Sequence, residues 1–274
     1  MLLGKHLKSV PFFYLSQNKL YCTLYVFLFF LHTFTYTQAK TTTNITQTLL
    51  KDHKVFYKHN SIKILPFLFT SATLANSDYD KLIIDYYHNR IHSKNTDSLA
   101  KFSKNFGEPF FITIYPITFL IAYIFTKNNI TDNNLYQWSY KSTRSILLGA
   151  PIMLIMQRIL GAKRPDSPNT HSNYKPFTHK YAVSASGHSF MGAIPFLNLA
   201  YMTDNLWLKS FLFASSTLTG LSRLNDKKHY LSQIILGWGL AFLATETIHT
   251  GSIKTNIAIL PSNKKIIFIG TSFN

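Results

Sequence analysis

The sequence predicts an all-α protein, a bundle of amphipathic and apolar helices followed by a short C-terminal β-hairpin. Three observations carry this reading. Hydrophobic residues are 46% of the 274 and charged residues 14%, against roughly 25% charge in an average soluble domain. The chain therefore has ample apolar area to bury, and disorder is excluded. Its apolar positions recur at helical spacing, as at Leu82, Ile83, Tyr86 and Tyr87, rather than alternating over long stretches. The C-terminal stretch changes character: IAIL and KKIIFIG flank Pro261-Ser262-Asn263, the pattern of two short strands around a turn. A mean hydropathy of +0.04 excludes six cleanly hydrophobic spans. The single cysteine, Cys22, excludes a disulfide framework and any cysteine-built metal site.

Residues 1–39 read as a signal peptide or N-terminal anchor. Lys5, Lys8 and Lys19, with no acid among them, precede an apolar core from Leu20 to Phe34, and Thr37 and Ala39 fall at the −3 and −1 positions of a cleavage site. That core is short for a membrane-spanning helix, which needs about 20 residues. Export to the cell envelope, at the inner membrane or in the periplasm, is the first reading, and an uncleaved anchor is the alternative.

Residues 40–77 form a polar linker with a peripheral helix and a first apolar piece, Ile64 to Ala75. The main domain is expected over 78–250. It opens with an amphipathic helix from Tyr79 to Phe106, and an apolar helix to Phe125 follows, started by Pro109 and kinked at Pro116. A turn over Lys127 to Asn134 leads to a helix from Leu135 to Leu160. A long non-helical section, Lys163 to Ser184, then interrupts the helices; loops of this length in compact domains are commonly functional. Helices over Ser189–Met202, Leu206–Leu221 and His229–Thr247 complete the domain, the first and last apolar nearly all round and so central. Residues 251–274 form the hairpin tail.

Charge is lopsided: 28 Lys+Arg against 11 Asp+Glu give +17, which points toward polyanions. Most of the lysines lie in Asn- and Thr-rich loops and read as solvated surface. Only five residues are arginine, Arg90, Arg144, Arg158, Arg164 and Arg223, and two of them fall in short segments at helix ends that carry chemistry. The first segment runs from Gln157 to Arg164-Pro165, the second is Ser184-Ala185-Ser186-Gly187-His188, and the third runs from Ser222-Arg223 to His229, with Gln233 one turn on. Arg164 and Arg223 are planar cations suited to bidentate contact with phosphate oxygens. Ser186, Gly187 and His188 open a helix, whose free N–H groups face an anion. Two histidines, two arginines and a helix N-terminus suit phosphoryl transfer: one histidine attacks, the other protonates the leaving group, and the cations hold the remaining oxygens. His171, Lys175, His179 and Lys180, in the long loop, lack metal-ligand spacing and read as a solvated lid.

These segments resemble the signature of the type 2 phosphatidic acid phosphatases (PAP2), a family related in fold to the vanadium haloperoxidases, of the form K-x6-RP, PSGH and SR-x5-H-x3-D. The resemblance covers roughly Asp78 to Thr247. It implies a helical bundle, a reaction that needs no metal or other cofactor, His229 as the phosphohistidine nucleophile and His188 as the acid for the leaving oxygen. Arg164, Arg223, Ser186 and the Gly187 N–H become phosphate contacts. Three positions depart from the signature. Gln157 stands in place of the leading lysine, where it offers phosphate a neutral amide; Ala185 replaces the proline; and Gln233 replaces the final aspartate. A glutamine oxygen can still accept the imidazole N–H and fix its tautomer, but it supplies no charge.

The expected function is thus a cell-envelope phosphatase acting on a phosphate monoester or pyrophosphate. A phosphorylated lipid at a membrane surface or in the bilayer is the expected partner, and nucleic acid is not. A weakened or inactive relative that binds phosphorylated lipid is the alternative, followed by a vanadium-dependent haloperoxidase.

Overall fold

The structure is a computed structural model that describes residues 45–125, 133–167, 172–178, 183–251, 255–258 and 268–271. The N-terminal signal reading, the 127–132 part of the expected turn, His171, His179 and Lys180 lie outside these residues. The chain divides into two units, Met1–Thr48 and Leu49–Asn274, and the candidate site belongs to the second.

Among the described residues the helices are α1 (Ile45–Val55), α2 (Leu65–Ala75), α3 (Tyr79–Arg90), α4 (Lys94–Ser103), α5 (Pro109–Phe125), α6 (Asn134–Ile159), α7 (Gly187–Tyr201), α8 (Leu206–Ser215), α9 (Leu218–Asn225) and α10 (Leu231–Thr250). Short π and 3-10 turns join α1 to α2, and a 3-10 turn, Lys104–Gly107, joins α4 to α5.

The expected single helix over Tyr79–Phe106 is broken in two. Ser93 is extended and accepts from the Thr96 N–H while Thr96 bonds back to the Ser93 N–H, a reciprocal cap that starts α4 afresh. The helix expected over Leu206–Leu221 is broken as well. Ser215, Ser216 and Thr217 donate their hydroxyls to the carbonyls of Phe211, Phe213 and Ala214 at 2.8, 2.6 and 2.8 Å, and such local bonds compete with the helical ladder.

Helices α7 and α10 occupy the centre. Ile194, Leu197, Leu236, Leu240 and Ala244 are fully buried between them and α6, and each large aliphatic side chain so buried contributes roughly 1.5–3 kcal/mol. Among the described residues α10 is the one helix long and apolar enough to cross a membrane, yet 72% of its apolar window is buried inside the protein. Asp52 and Arg144 form a bidentate pair at 2.7 and 2.8 Å, so this arginine is structural.

The start of α10 is anchored from below. Asp80 of α3, fully buried, accepts from the Ser232 backbone N–H at 3.0 Å and from the Ser232 hydroxyl. Ser71 of α2 donates to the Ser232 carbonyl at 2.8 Å. A carboxylate at a helix N-terminus satisfies free donors and favours the dipole. Burial pushes the Asp80 carboxyl above its usual range.

The expected C-terminal β-hairpin is corrected by the structure. The described fold is helical and closes at Thr250, where Gly251 takes a positive φ of 63°. Thr255–Ala258 and Phe268–Thr271 are extended, but the Pro261-Ser262-Asn263 turn that would make them a hairpin lies outside the described residues, and no strand belongs to the fold. The physical reason is size: two four-residue strands bury too little apolar area to stand alone. The all-α part of the prediction stands.

Candidate active site

Three chain segments converge around the start of α10. The long loop brings Lys163 and Arg164, the turn before α7 brings Ser186, Gly187 and His188, and the end of α9 with the following turn brings Arg223 and His229.

The α9 segment is shaped by its C-terminus. Lys227 adopts a left-handed φ of 53°, which costs a non-glycine residue roughly 1–2 kcal/mol. In return the chain reverses so that the N–H groups of Lys228 and His229 both donate to the Arg223 carbonyl, at 2.8 and 3.2 Å. That reversal sets His229 beside Arg223. His229 is therefore not the first residue of a helix, as the sequence suggested; Tyr230 caps α10 and Gln233 sits in its first turn. Arg223 is nearly buried and pairs with Asp226 at 2.5 Å, a partner that sequence reasoning missed although the i, i+3 spacing signals it.

His229 and Gln233 form the core of the site. Gln233 Oε1 lies 2.7 Å from His229 Nδ1, and Gln233 Nε2 donates to the Lys163 carbonyl at 2.7 Å. Because the amide nitrogen is committed to a carbonyl, the amide oxygen faces the imidazole. His229 Nδ1 must then carry the proton and donate it, which leaves Nε2 with its lone pair free. Burial, with the charges of Arg164, His188 and Arg223 adding to it, pulls the His229 pKa down to about 3, while the bond to Gln233 opposes the shift. The ring is neutral at ordinary pH.

Ser186 caps α7 by accepting from the Ser189 N–H at 3.2 Å, and its own N–H donates to the Gln233 carbonyl at 2.9 Å. The turn before α7 and the start of α10 are thus bonded to each other. They can approach so closely only because of Gly237: a Cβ there would lie 2.3 Å from the Ser186 carbonyl oxygen. Gln157 donates to the Ala185 carbonyl at 2.7 Å, so its amide braces this turn from behind. Arg158, next to it, is exposed.

His188 is half-buried. Burial and the nearby Arg223 and Arg164 lower its pKa, and Glu108, whose Oε1 lies 3.5 Å from His188 Nε2, acts in the opposite direction. Arg164 is exposed. The loop carrying it is held by Lys228 Nζ, which donates to Asp166 at 2.7 Å. Lys175, also from this loop, is exposed and donates its N–H to the Gly161 carbonyl at 2.7 Å.

All eight residues singled out in the sequence, Gln157, Arg164, Ser186, Gly187, His188, Arg223, His229 and Gln233, thus lie on these three segments or on the helix ends packed against them. Sequence reasoning missed Glu108, Asp226 and the Lys163 carbonyl. The first is 80 positions from its partner, and the last is a backbone group that no side-chain pattern reports.

A neutral, oriented imidazole flanked by two arginines, a second histidine and a helix N-terminus defines a helical protein with a candidate phosphoryl-transfer site. The family model of the PAP2 superfamily matches residues 140–254, the stretch that contains all eight of these residues. The resemblance seen in the motifs is borne out over that stretch. A search of the curated proteins found no match. Among solved structures, the crystal structure of the first transmembrane PAP2-type phosphatidylglycerolphosphate phosphatase, from Bacillus subtilis, is similar at a TM-score of 0.47 and 15% identity, over 68% of this chain and 92% of that one.

Proposed function

We propose that the protein is a cell-envelope phosphatase that hydrolyses a phosphate monoester or pyrophosphate of a lipid through a phosphohistidine at His229. The observation that carries this reading is the Lys163 carbonyl–Gln233–His229 chain, which gives His229 one tautomer and a free Nε2. In the first step Nε2 attacks phosphorus, the bond from phosphorus to the leaving oxygen breaks, and His188 passes its proton to that oxygen. In the second step water attacks the phosphohistidine. The P–N bond breaks, His188 takes back a proton, and inorganic phosphate leaves. Arg164, Arg223, Ser186 and the α7 N-terminus neutralise the phosphoryl oxygens, so this scheme uses no metal.

A lipid is favoured by exposed apolar side chains on the segments next to Glu108 in the chain: Phe110, two residues on, is 71% exposed, and Phe102 of α4 is 62% exposed. Contact with a membrane is further supported by the start of α8, where Leu206, Trp207 and Phe211 are 71, 85 and 67% exposed; aromatic side chains suit the membrane–water interface. Export follows from the basic and apolar pattern of residues 1–39.

The test is phosphate release from a panel of phosphatidic acid, an isoprenyl pyrophosphate and a sugar phosphate, with wild type and His188→Ala compared. Release from the lipids, greatly reduced in the variant, is expected. Release from the sugar phosphate alone would remove the lipid assignment. No release from any member would favour a binding protein with an inactive site.

A further inference from the structure

We propose that Glu108 is a positioning residue that favours the protonated His188 imidazole and holds it at the leaving-group position. This rests on the reading of His188 as the acid. The geometry comes first. Glu108 follows the 3-10 turn Lys104–Gly107 and precedes α5, with its N–H bonded to the Asn105 carbonyl at 3.1 Å. Gly107 packs directly on the histidine backbone: a Cβ at Gly107 would lie 2.8 Å from both the His188 Cα and the His188 carbonyl oxygen. The carboxylate is therefore carried on backbone that cannot move independently of His188.

A carboxylate here is otherwise a liability. Its charge reaches both His188 and Arg223, so it works against a phosphate held by that arginine. Every other charged group acting on His188 is cationic: Arg223 from α9, Arg164 from the loop and, when protonated, His229. Together with burial they favour the neutral ring, which has no proton to give. Among the described residues Glu108 is the one group that favours the charged ring. At 3.5 Å from Nε2 its contact is long for a hydrogen bond, so it stabilises the protonated ring without capturing the proton that the leaving oxygen must receive.

The alternative role for Glu108, a favourable charge at the N-terminus of α5, makes different predictions. The experiment compares wild type, Glu108→Gln and Glu108→Asp by pH–rate profile on an alkyl phosphate and on p-nitrophenyl phosphate, whose leaving group needs little protonation. It adds an NMR titration of the His188 ring and a thermal melt. For Glu108→Gln the basic limb for the alkyl phosphate should move acidward by about half to one pH unit, as expected for loss of a partly exposed opposite charge. That is roughly a three- to tenfold loss above the limb. The loss should be several-fold smaller on p-nitrophenyl phosphate, KM should fall rather than rise, and the His188 titration should move the same way as the limb. Glu108→Asp should restore part of the shift.

An unmoved His188 titration overturns the proposal. Equal losses on both substrates with a lowered melting temperature and an unmoved limb also overturn it, by showing only a helix-end role. A His188→Ala control separates the two readings. If that variant keeps the wild-type basic limb and leaving-group dependence, the acid assignment of His188 fails, and the Glu108 proposal fails with it as a statement about catalysis even if the ring titration still moves.

Discussion

Replacing Gln233 by leucine removes the amide's bonds to His229 and to the Lys163 carbonyl, and a longer one from the Tyr230 N–H at 3.4 Å, while keeping nearly the same volume. Gln233 is fully buried, and its bonds to His229 Nδ1 and to the Lys163 carbonyl are each 2.7 Å. A buried polar group left without its partner costs about 1–3 kcal/mol. The imidazole can escape part of that cost by moving its proton to Nε2, which turns the nucleophilic lone pair toward leucine. If about 1.5–3 kcal/mol of this appears in the barrier, kcat falls roughly 10- to 150-fold. KM should change little, because Gln233 is fully buried and bonds to the His229 ring from the Nδ1 side. The assay is steady-state turnover of a soluble phosphomonoester, with a thermal melt to show that the variant is folded. A folded Gln233→Leu protein within about twofold of wild-type kcat would refute the claim that the amide orients His229.

Three further predictions follow from the same site. Gln233→Asp supplies a charge beside His229 but loses the donor to Lys163; turnover should be preserved or raised, and complete loss would show a site rebuilt around the amide. Gly237→Ala drives a methyl into the Ser186 carbonyl, 2.3 Å from the new Cβ. It should lower stability by about 1–3 kcal/mol and weaken inhibition by inorganic phosphate, read by a melt and a competition assay. Acid stability depends on His229, whose pKa is held down at about 3 in the folded state, against about 6.5 unfolded. The folded protein therefore binds fewer protons across that window. The stabilisation is fully present above about pH 6.5 and is lost as pH falls toward 3, by on the order of a few kcal/mol. Denaturant melts of wild type should show this slope, and His229→Gln should flatten it.

Much of the site was legible because its chemistry lies in short local words. Ser186-Gly187-His188 at a helix start and Ser222-Arg223 six residues before His229 declare themselves by residue type and spacing. The amide's orientation was not legible, since it is decided by the Lys163 carbonyl, 70 residues from Gln233. The same holds for Glu108 and for Asp80 beneath the start of α10, which act across the fold. Helix positions were read from apolar periodicity, so breaks made by polar side chains, at Ser93 and at Ser215-Ser216-Thr217, passed unseen. The hairpin expectation fails for a related reason: two apolar runs around Pro261-Ser262-Asn263 signal strands locally, but say nothing of an apolar face for them to pack against. Arginine usage marked the candidate site only in part, for Arg144 is spent on Asp52 while Arg164 and Arg223 lie at the candidate site.

The central claim is that His229 carries the phosphoryl group, and its most direct test is trapping the intermediate. Wild-type protein mixed with substrate and quenched in alkali, where phosphohistidine survives, should yield a phosphorylated peptide containing His229 by mass spectrometry. The label should vanish in His229→Ala together with turnover. Phosphate release with no label on His229, or with full turnover retained in His229→Ala, would contradict the account.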